Sequence, residues 1–270
     1  MNSPKIVDIN EKCEYIVGLI KRMIKKAGSG HAGASLSIVE ILSCLYFSVL
    51  KHDPHNTKWD KRDRFILSKG HSGLALYATL SLAGYFPEKI LDTYATTEGP
   101  LMNHPDAHLI PGVEVSTGSL GHGLPIAVGV SLAGLKRSFN YFTFCLLGDG
   151  ECHEGTVWEA AMAASSFKLN RLIVIVDRNR FGNDGEIDYI NLEPFEEKWK
   201  SFGWKTKVVD GHNTKLLTKV LKELKVEAKG PYTLIANTTK GRGLISAIAG
   251  KGNSHYISGT EEYIESLFIK

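Results

Sequence analysis

The chain has 270 residues, 43% of them hydrophobic and 23% charged, with a formal net charge of +3. That balance suits one large globular core and excludes a disordered or strongly polyionic protein. No apolar run approaches the ~20 residues of a membrane helix, and the opening ten residues are too polar for a signal peptide, so a cytoplasmic protein that does not engage membranes is expected.

Residues 7–26 place Ile9, Cys13, Ile16, Val17, Ile20 and Ile24 at helical spacing, and the run stops at Ala27-Gly28-Ser29-Gly30, where glycine ends a helix at little cost. The pattern predicts further helices over 37–50 and 72–83, the latter ended by Gly84, and a short one from Pro87. Residues 97–123 are rich in Gly, Pro and His without a period, and a loop of this length inside one domain is usually functional. Beyond it strands and helices alternate: strand 141–147, helix 159–167, strand 172–176, helix 196–202, strand 205–209, helix 214–225 and strand 232–236. Such alternation implies an α/β fold, a parallel sheet with helices on both faces. Ligands bind such sheets beyond the carboxyl ends of the strands, which directs attention to the loops after Leu147, Val176 and Ala236. The lysines between 215 and 229 fall on one face of the last helix and read as a solvated surface rather than a nucleic-acid site. Cys13, Cys44, Cys145 and Cys152 show no CxxC spacing and read as buried free thiols.

Gly148-Asp149-Gly150 follows the first strand of this series and Asp177-Arg178-Asn179 the next. The two loops should be neighbours. Asp149 and Asn179 offer hard oxygen ligands, the glycines let backbone amides approach an anion, and a helix starts soon after with its positive end toward the same place. A divalent cation gripping a diphosphate suits this set, because magnesium takes an octahedral shell of oxygens and commonly draws some of them from phosphates.

Separated by one helix and one strand, Asp149 and Asn179 resemble the GDG…N signature of thiamine diphosphate enzymes. Four further stretches resemble transketolase in particular. Ser29-Gly30-His31-Ala32-Gly33-Ala34-Ser35 is similar to its SGHPGAP loop, and Asp63-Arg64-Phe65-Ile66-Leu67-Ser68-Lys69-Gly70-His71 to its DRFVLSNGH. Asn103-His104-Pro105 stands in the place of its GHP, and Thr117-Gly118-Ser119-Leu120-Gly121-His122-Gly123 looks like the TGSLGHG of split forms.

The resemblance implies one thiamine diphosphate-binding domain of the diphosphate type over residues 1–270, with an N-terminal helical extension. The cofactor would be thiamine diphosphate with Mg2+, or Ca2+ or Mn2+ in its place. Asp149, Asn179 and the main-chain oxygen of Phe181 would hold the metal. Cofactor contacts would come from His71, Gly118, Leu120, Asp149, Gly150, Glu154, Asn179 and His255. His31, His71, His104 and Glu154 would serve catalysis, His31 and His104 by meeting sugar hydroxyls and donor carbons. Glu154 and Glu159 match glutamates that the family places at the dimer interface, between two active sites. As acids in the first turn of a helix they also suit its dipole.

Three departures stand out. Ala32 and Ser35 replace prolines, and Asn183, in Gly182-Asn183-Asp184-Gly185, replaces an apolar residue close to the thiazolium ring. The chain ends at Lys270, where a full transketolase continues with a pyrimidine-binding and a C-terminal domain. The resemblance therefore implies a partner subunit that brings those domains and the glutamate acting on the cofactor's aminopyrimidine, in an α2β2 heterotetramer. The expected reaction moves a two-carbon ketol unit from a ketose, phosphorylated in the usual case, to an aldose. Rival readings are the alpha subunit of a 2-oxo acid dehydrogenase, a transketolase specialised for an unusual sugar, and a noncatalytic subunit on a doubly wound sheet. The last leaves the metal loops unexplained, and the first lacks the motifs of His31, His71 and His104.

Overall fold

The structure, a computed structural model, describes residues 8–183, 185–187 and 190–269. Val7, Asp184 and Lys270, singled out in the sequence, lie outside the described residues. Helix α1 (Ile9–Ala27) is capped by Asp8, whose carboxylate accepts from the amide of Asn10 at 2.7 Å, and it is closed by Gly28 in the left-handed conformation at φ 74°. Its buried stripe is Cys13, Ile16, Leu19, Ile20, Met23 and Ile24.

A short strand β1 (Ser29–Gly30) leads into α2 (Ala32–Leu36) and α3 (Val39–Cys44). The single helix expected over 37–50 is thus broken. It begins late, and past Cys44 it relaxes into a π-helical turn, Leu45–Val49, in which the amide of Leu50 reaches the carbonyl of Leu45. The wider turn sets Tyr46 edge-on against His52, Phe65 and Tyr85 and leaves its carbonyl to bond His52 Nε2 at 2.8 Å.

Strand β2 (Arg64–Leu67) lies inside the stretch read from sequence only as a motif. Helix α4 (Gly73–Leu82) follows as expected. Helix α5 (Gly123–Lys136) lies between the long loop and the next strand and was not anticipated. It carries no charged residue before Lys136, so it lacks the polar face from which a helical period is read. The remaining elements keep the expected alternation: β3 (Thr143–Gly148), α6 (Gly155–Ser166), β4 (Leu172–Arg178), α7 (Phe195–Ser201), β5 (Lys205–Asp210), α8 (Thr214–Glu227) and β6 (Tyr232–Asn237). A two-residue strand β7 (Ile257–Ser258) pairs back on β1, and α9 (Glu261–Leu267) closes the fold.

The five longer strands form one parallel sheet in the order β2-β3-β4-β6-β5. Along β3, Phe144 and Leu146 join the core shared with α1, α3, α4 and α8. Cys145 and Leu147 join the opposite core, with α5, α6 and α7. Helices therefore cover both faces, as the continuous apolar strands predict. Strand β5 has one open edge, and its Lys205 and Lys207 guard it against further pairing. The four cysteines are buried and free. Among the described residues no helix is long and apolar enough to cross a membrane.

The core under α6 is a nest of rings. Trp199 is fully buried, with Trp158 at 5.1 Å and Trp204 at 5.2 Å between ring centres. Trp158 donates to the carbonyl of Cys152, so this nest also steadies the loop after β3. Trp199→Ala is expected to cost about 3–5 kcal/mol, read as a lower midpoint in urea or thermal unfolding.

Candidate active site

Parallel pairing puts the strand tips in register. Gly148 lies beside Asp177, and Arg178 beside Asn237. The chain leaves β3 through Asp149, whose amide donates to the carbonyl of Asp177 at 3.2 Å. One carboxylate oxygen of Asp149 accepts from its neighbour Gly150, the other from the amide of Arg180 at 2.6 Å. The amide oxygen of Asn179 accepts from Phe181 at 3.0 Å. A Cβ at Gly150 would lie 4.0 Å from the carbonyl oxygen of Phe181. The carboxylate, amide oxygen and carbonyl picked out in the sequence are thus brought together at one place, lining a cavity of about 400 Å³.

Behind them sit groups the sequence reading passed over. Asp177 is fully buried and is paired with the equally buried Lys69 at 2.5 Å. Glu151, also buried, accepts from Ser68 Oγ at 2.5 Å and from the amides of Gly121 and Gly148. It thereby pins the loop carrying Gly118 and Leu120 to the tip of β3. Lys240, beyond β6, donates to the carbonyl of Gly182 at 2.5 Å and lies 3.0 Å from His255 Nδ1. The available signal was position: each lies at the carboxyl end of an apolar strand or within three residues beyond it, where a charged group must find a partner or a ligand.

The histidines gather at the mouth. Ring centres of His31 stand 5.8 Å from His71, 6.0 Å from His104 and 5.4 Å from His255, and His71 is 5.4 Å from His255. Two close approaches make this possible. A Cβ on Gly33 would stand 2.5 Å from the carbonyl of Ser254, so only glycine lets the segment carrying His255 lie on the loop carrying His31. A Cβ on Gly70 would stand 2.8 Å from Thr117 Oγ1, so the loop of His71 presses on that of Gly118. Gly118 in turn abuts the His104 ring. Leu120 lines the cavity from an exposed position, as does Asn183. Glu154 stands exposed at its edge, before the first turn of α6, while Glu159 is exposed one turn on and does not line it.

Comparison with known proteins shows the family. The profile of the family described as "Transketolase, thiamine diphosphate binding domain" matches residues 10–267. A 6-deoxy-6-sulfo-D-fructose transketolase subunit of a Clostridium species is 43% identical over 96% of this chain and 94% of its own length. One of the subunits of an apulose-4-phosphate transketolase from Phocaeicola vulgatus is 37% identical over 92% of this chain and 89% of its own. Among solved structures, the transketolase of Leishmania mexicana superposes with a TM-score of 0.90 at 30% identity, over 97% of this chain and 41% of that one. The chain belongs to the transketolase family. It is similar over nearly all its length to transketolase subunits, and it spans well under half of the solved transketolase. The expected reading as a transketolase subunit stands, as does the expected fold.

The residues of this transketolase subunit fit the family's cofactor. Burial, and then the negative charge of Asp177, push the Asp149 carboxyl up to about 7, a setting that a divalent cation would relieve. Among the described residues no cluster of three or more His, Cys, Asp or Glu offers a rival metal site. Burial, and then Lys69, bring the Lys240 ammonium down to about 8.

The imidazoles are held neutral. Burial, and then the neighbouring His104, lower His31 to about 4; burial, and then Lys240, lower His255 to about 3; burial also lowers His71 and His104. In the unfolded chain these rings take up protons near pH 6.5, so between the two values the unfolded state binds more protons. Stability from their neutrality is whole above about pH 6.5 and is lost as the pH falls toward about 4. The melting temperature should drop steadily between about pH 7 and about pH 4.5, and His31→Asn should flatten that slope in a pH series of thermal melts.

Proposed function

We propose that this chain is the diphosphate-binding half of a split transketolase that moves a two-carbon ketol unit from a ketose to an aldose. The observation that carries this reading is a hard oxygen set lining one cavity with His71 and His255, where His31 stands within ring contact of both and of His104. Asp149, Asn179 and the Phe181 carbonyl would hold Mg2+, or Ca2+ or Mn2+, against the diphosphate of thiamine diphosphate. His255 and Lys240 would meet the same phosphates from the segment beyond β6, and His71 from the loop beyond β2; all three line the cavity. When bound, the cofactor supplies a carbon nucleophile and an electron sink for the two-carbon unit.

His31 and His104, neutral at the cavity mouth, can donate one hydrogen bond and accept another. They suit the orientation of donor hydroxyls and the movement of a proton at the substrate oxygen. Tyr256 backs His31 edge-on at 4.8 Å and anchors its own hydroxyl on Ser29 Oγ. A 2-oxo acid dehydrogenase subunit would need the oxygen set and not this histidine group. Asn183 at the cavity, together with relatives named for sulfofructose and apulose phosphate, favours a specialised sugar over the common pentose phosphates.

The partner would be a subunit carrying the pyrimidine-binding domain, in an α2β2 heterotetramer in the cytoplasm. Support comes from α5 and α6. Ile126, Gly129 and Ala133 on α5 and Met162 on α6 are exposed, with Phe167 just past the end of α6, and α5 has no charge along that face before Lys136. Such a patch on packed helices suits a protein contact; Glu159 lies on α6 one turn before Met162, and Glu154 precedes that helix.

Calorimetric titration tests the reading. The chain should bind thiamine diphosphate only when Mg2+ is present, and Asp149→Ala should weaken that binding by at least about 100-fold through loss of a ligand and its charge. Ketol transfer should require a pyrimidine-domain subunit supplied in trans; full turnover by the chain alone would count against a split enzyme. Met162→Asp should shift sedimentation toward smaller species while leaving the helical circular dichroism signal intact.

A further inference from the structure

A metal-ligating asparagine can face its cation with oxygen or with nitrogen, and only the oxygen binds. In this chain the Asn179 amide is bonded to a buried residue outside the oxygen set. Asn179 donates Nδ2 to Asp177 Oδ2 at 2.8 Å, while its Oδ1 accepts from the Phe181 amide at 3.0 Å. Asp177 Oδ2 also takes Ser37 Oγ at 2.7 Å and Lys69 Nζ at 2.5 Å, and Oδ1 takes the hydroxyl of Thr238. Lys69 is fixed a second time by the carbonyl of Ala34 at 3.2 Å. All three charged or amide groups are nine-tenths or more buried.

Although burial opposes its charge, Lys69 and then the hydroxyl donors hold the Asp177 carboxyl below the usual range. Its two oxygens already take an ammonium, two hydroxyls and the Asn179 NH2, all of them donors, so it meets Asn179 as an acceptor. Turning the Asn179 amide over would set its oxygen against this carboxylate and its NH2 against the Phe181 N–H. Two hydrogen bonds would be lost in a buried place, where each unmet group is costly.

We infer that Asp177, held by Lys69, is a positioning residue that locks the Asn179 amide with its oxygen toward the metal. The inference rests on the thiamine diphosphate reading of the site and deepens it. Outer partners of metal ligands commonly alter affinity by about 10–100-fold, and this one acts before any metal arrives.

The test is calorimetric titration of thiamine diphosphate into the full chain over a series of Mg2+ concentrations, with circular dichroism to check the fold. In Asp177→Asn the new amide can donate to Asn179 Oδ1, so residue 179 can turn. The Mg2+ needed for half-maximal cofactor binding should rise at least about tenfold. The double variant Asp177→Asn with Asn179→Asp should recover most of that loss, because a carboxylate at 179 shows oxygen in either orientation, a recovery that a merely structural role for Asp177 would not give. Asp177→Asn with Lys69→Met, which removes an unpaired buried ammonium, should stay folded and show the same loss. A Mg2+ requirement within about twofold of wild type in folded Asp177→Asn or in its folded combination with Lys69→Met, or no recovery in the exchange, overturns the inference alone. No Mg2+-dependent binding by the wild-type chain overturns the cofactor reading, and the inference with it.

Discussion

The parallel pairing of β3 with β4, which sets Gly148 beside Asp177, is the constraint on which the site depends. With that register the chain leaves both strands at the same height and on neighbouring paths. Asp149 can then accept from the Arg180 amide while its own amide reaches the Asp177 carbonyl. A slip of one residue would turn every side chain of β3 to the other face. It would also exchange Phe144 and Leu146 with Cys145 and Leu147 between two cores that differ in their ring content. The apolar packing of the sheet therefore fixes the ligand geometry before any ligand is present.

Charge is distributed around that register in a consistent way. Asp177 is spent internally, on Lys69 and three neutral donors, and Glu151 on a hydroxyl and two amides. Asp149 receives only backbone amides, one of which is its immediate neighbour, and its carboxyl is correspondingly pushed up. It is the acid left with capacity for a cation. Lys240 and the lowered histidines ring the opening without adding fixed negative charge. The arrangement suits an anion that arrives with its own metal, and keeps the imidazoles neutral beside it.

Much of this was legible in the sequence because strands buried on both faces are continuous apolar runs, and the loops that matter follow them directly. The alternation from residue 141 onward emerged in the structure with the expected elements, and the oxygen set lines one cavity with His71 and His255, while His31 meets both of those rings and that of His104. What escaped were features whose signal is tertiary. Helix α5 is apolar on every side, so no period marks it. The helix over 37–50 ends in a π-helical turn that sets Tyr46 edge-on against His52 and against Tyr85, the latter a partner 39 positions on. Lys69 and Asp177 looked like ordinary members of their motifs, since nothing local reveals that they meet as a buried pair.

The gaps in the expectation and the proposed assembly share one cause. A helix that is apolar all round belongs in an interior, and α5 is only partly in one: Gly123, Leu124, Ala127, Val128, Ser131 and Gly134 are covered, while Ile126, Gly129 and Ala133 are not. The small residues at 129 and 133 would let another backbone approach closely, and no charged side chain stands in the way before Lys136. Leu120 and Glu154, exposed in the cavity lining, lie just before the starts of α5 and α6. On the proposed reading one partner surface would cover both features. The missing polar face of α5 and the open end of the cavity then follow from a single interface.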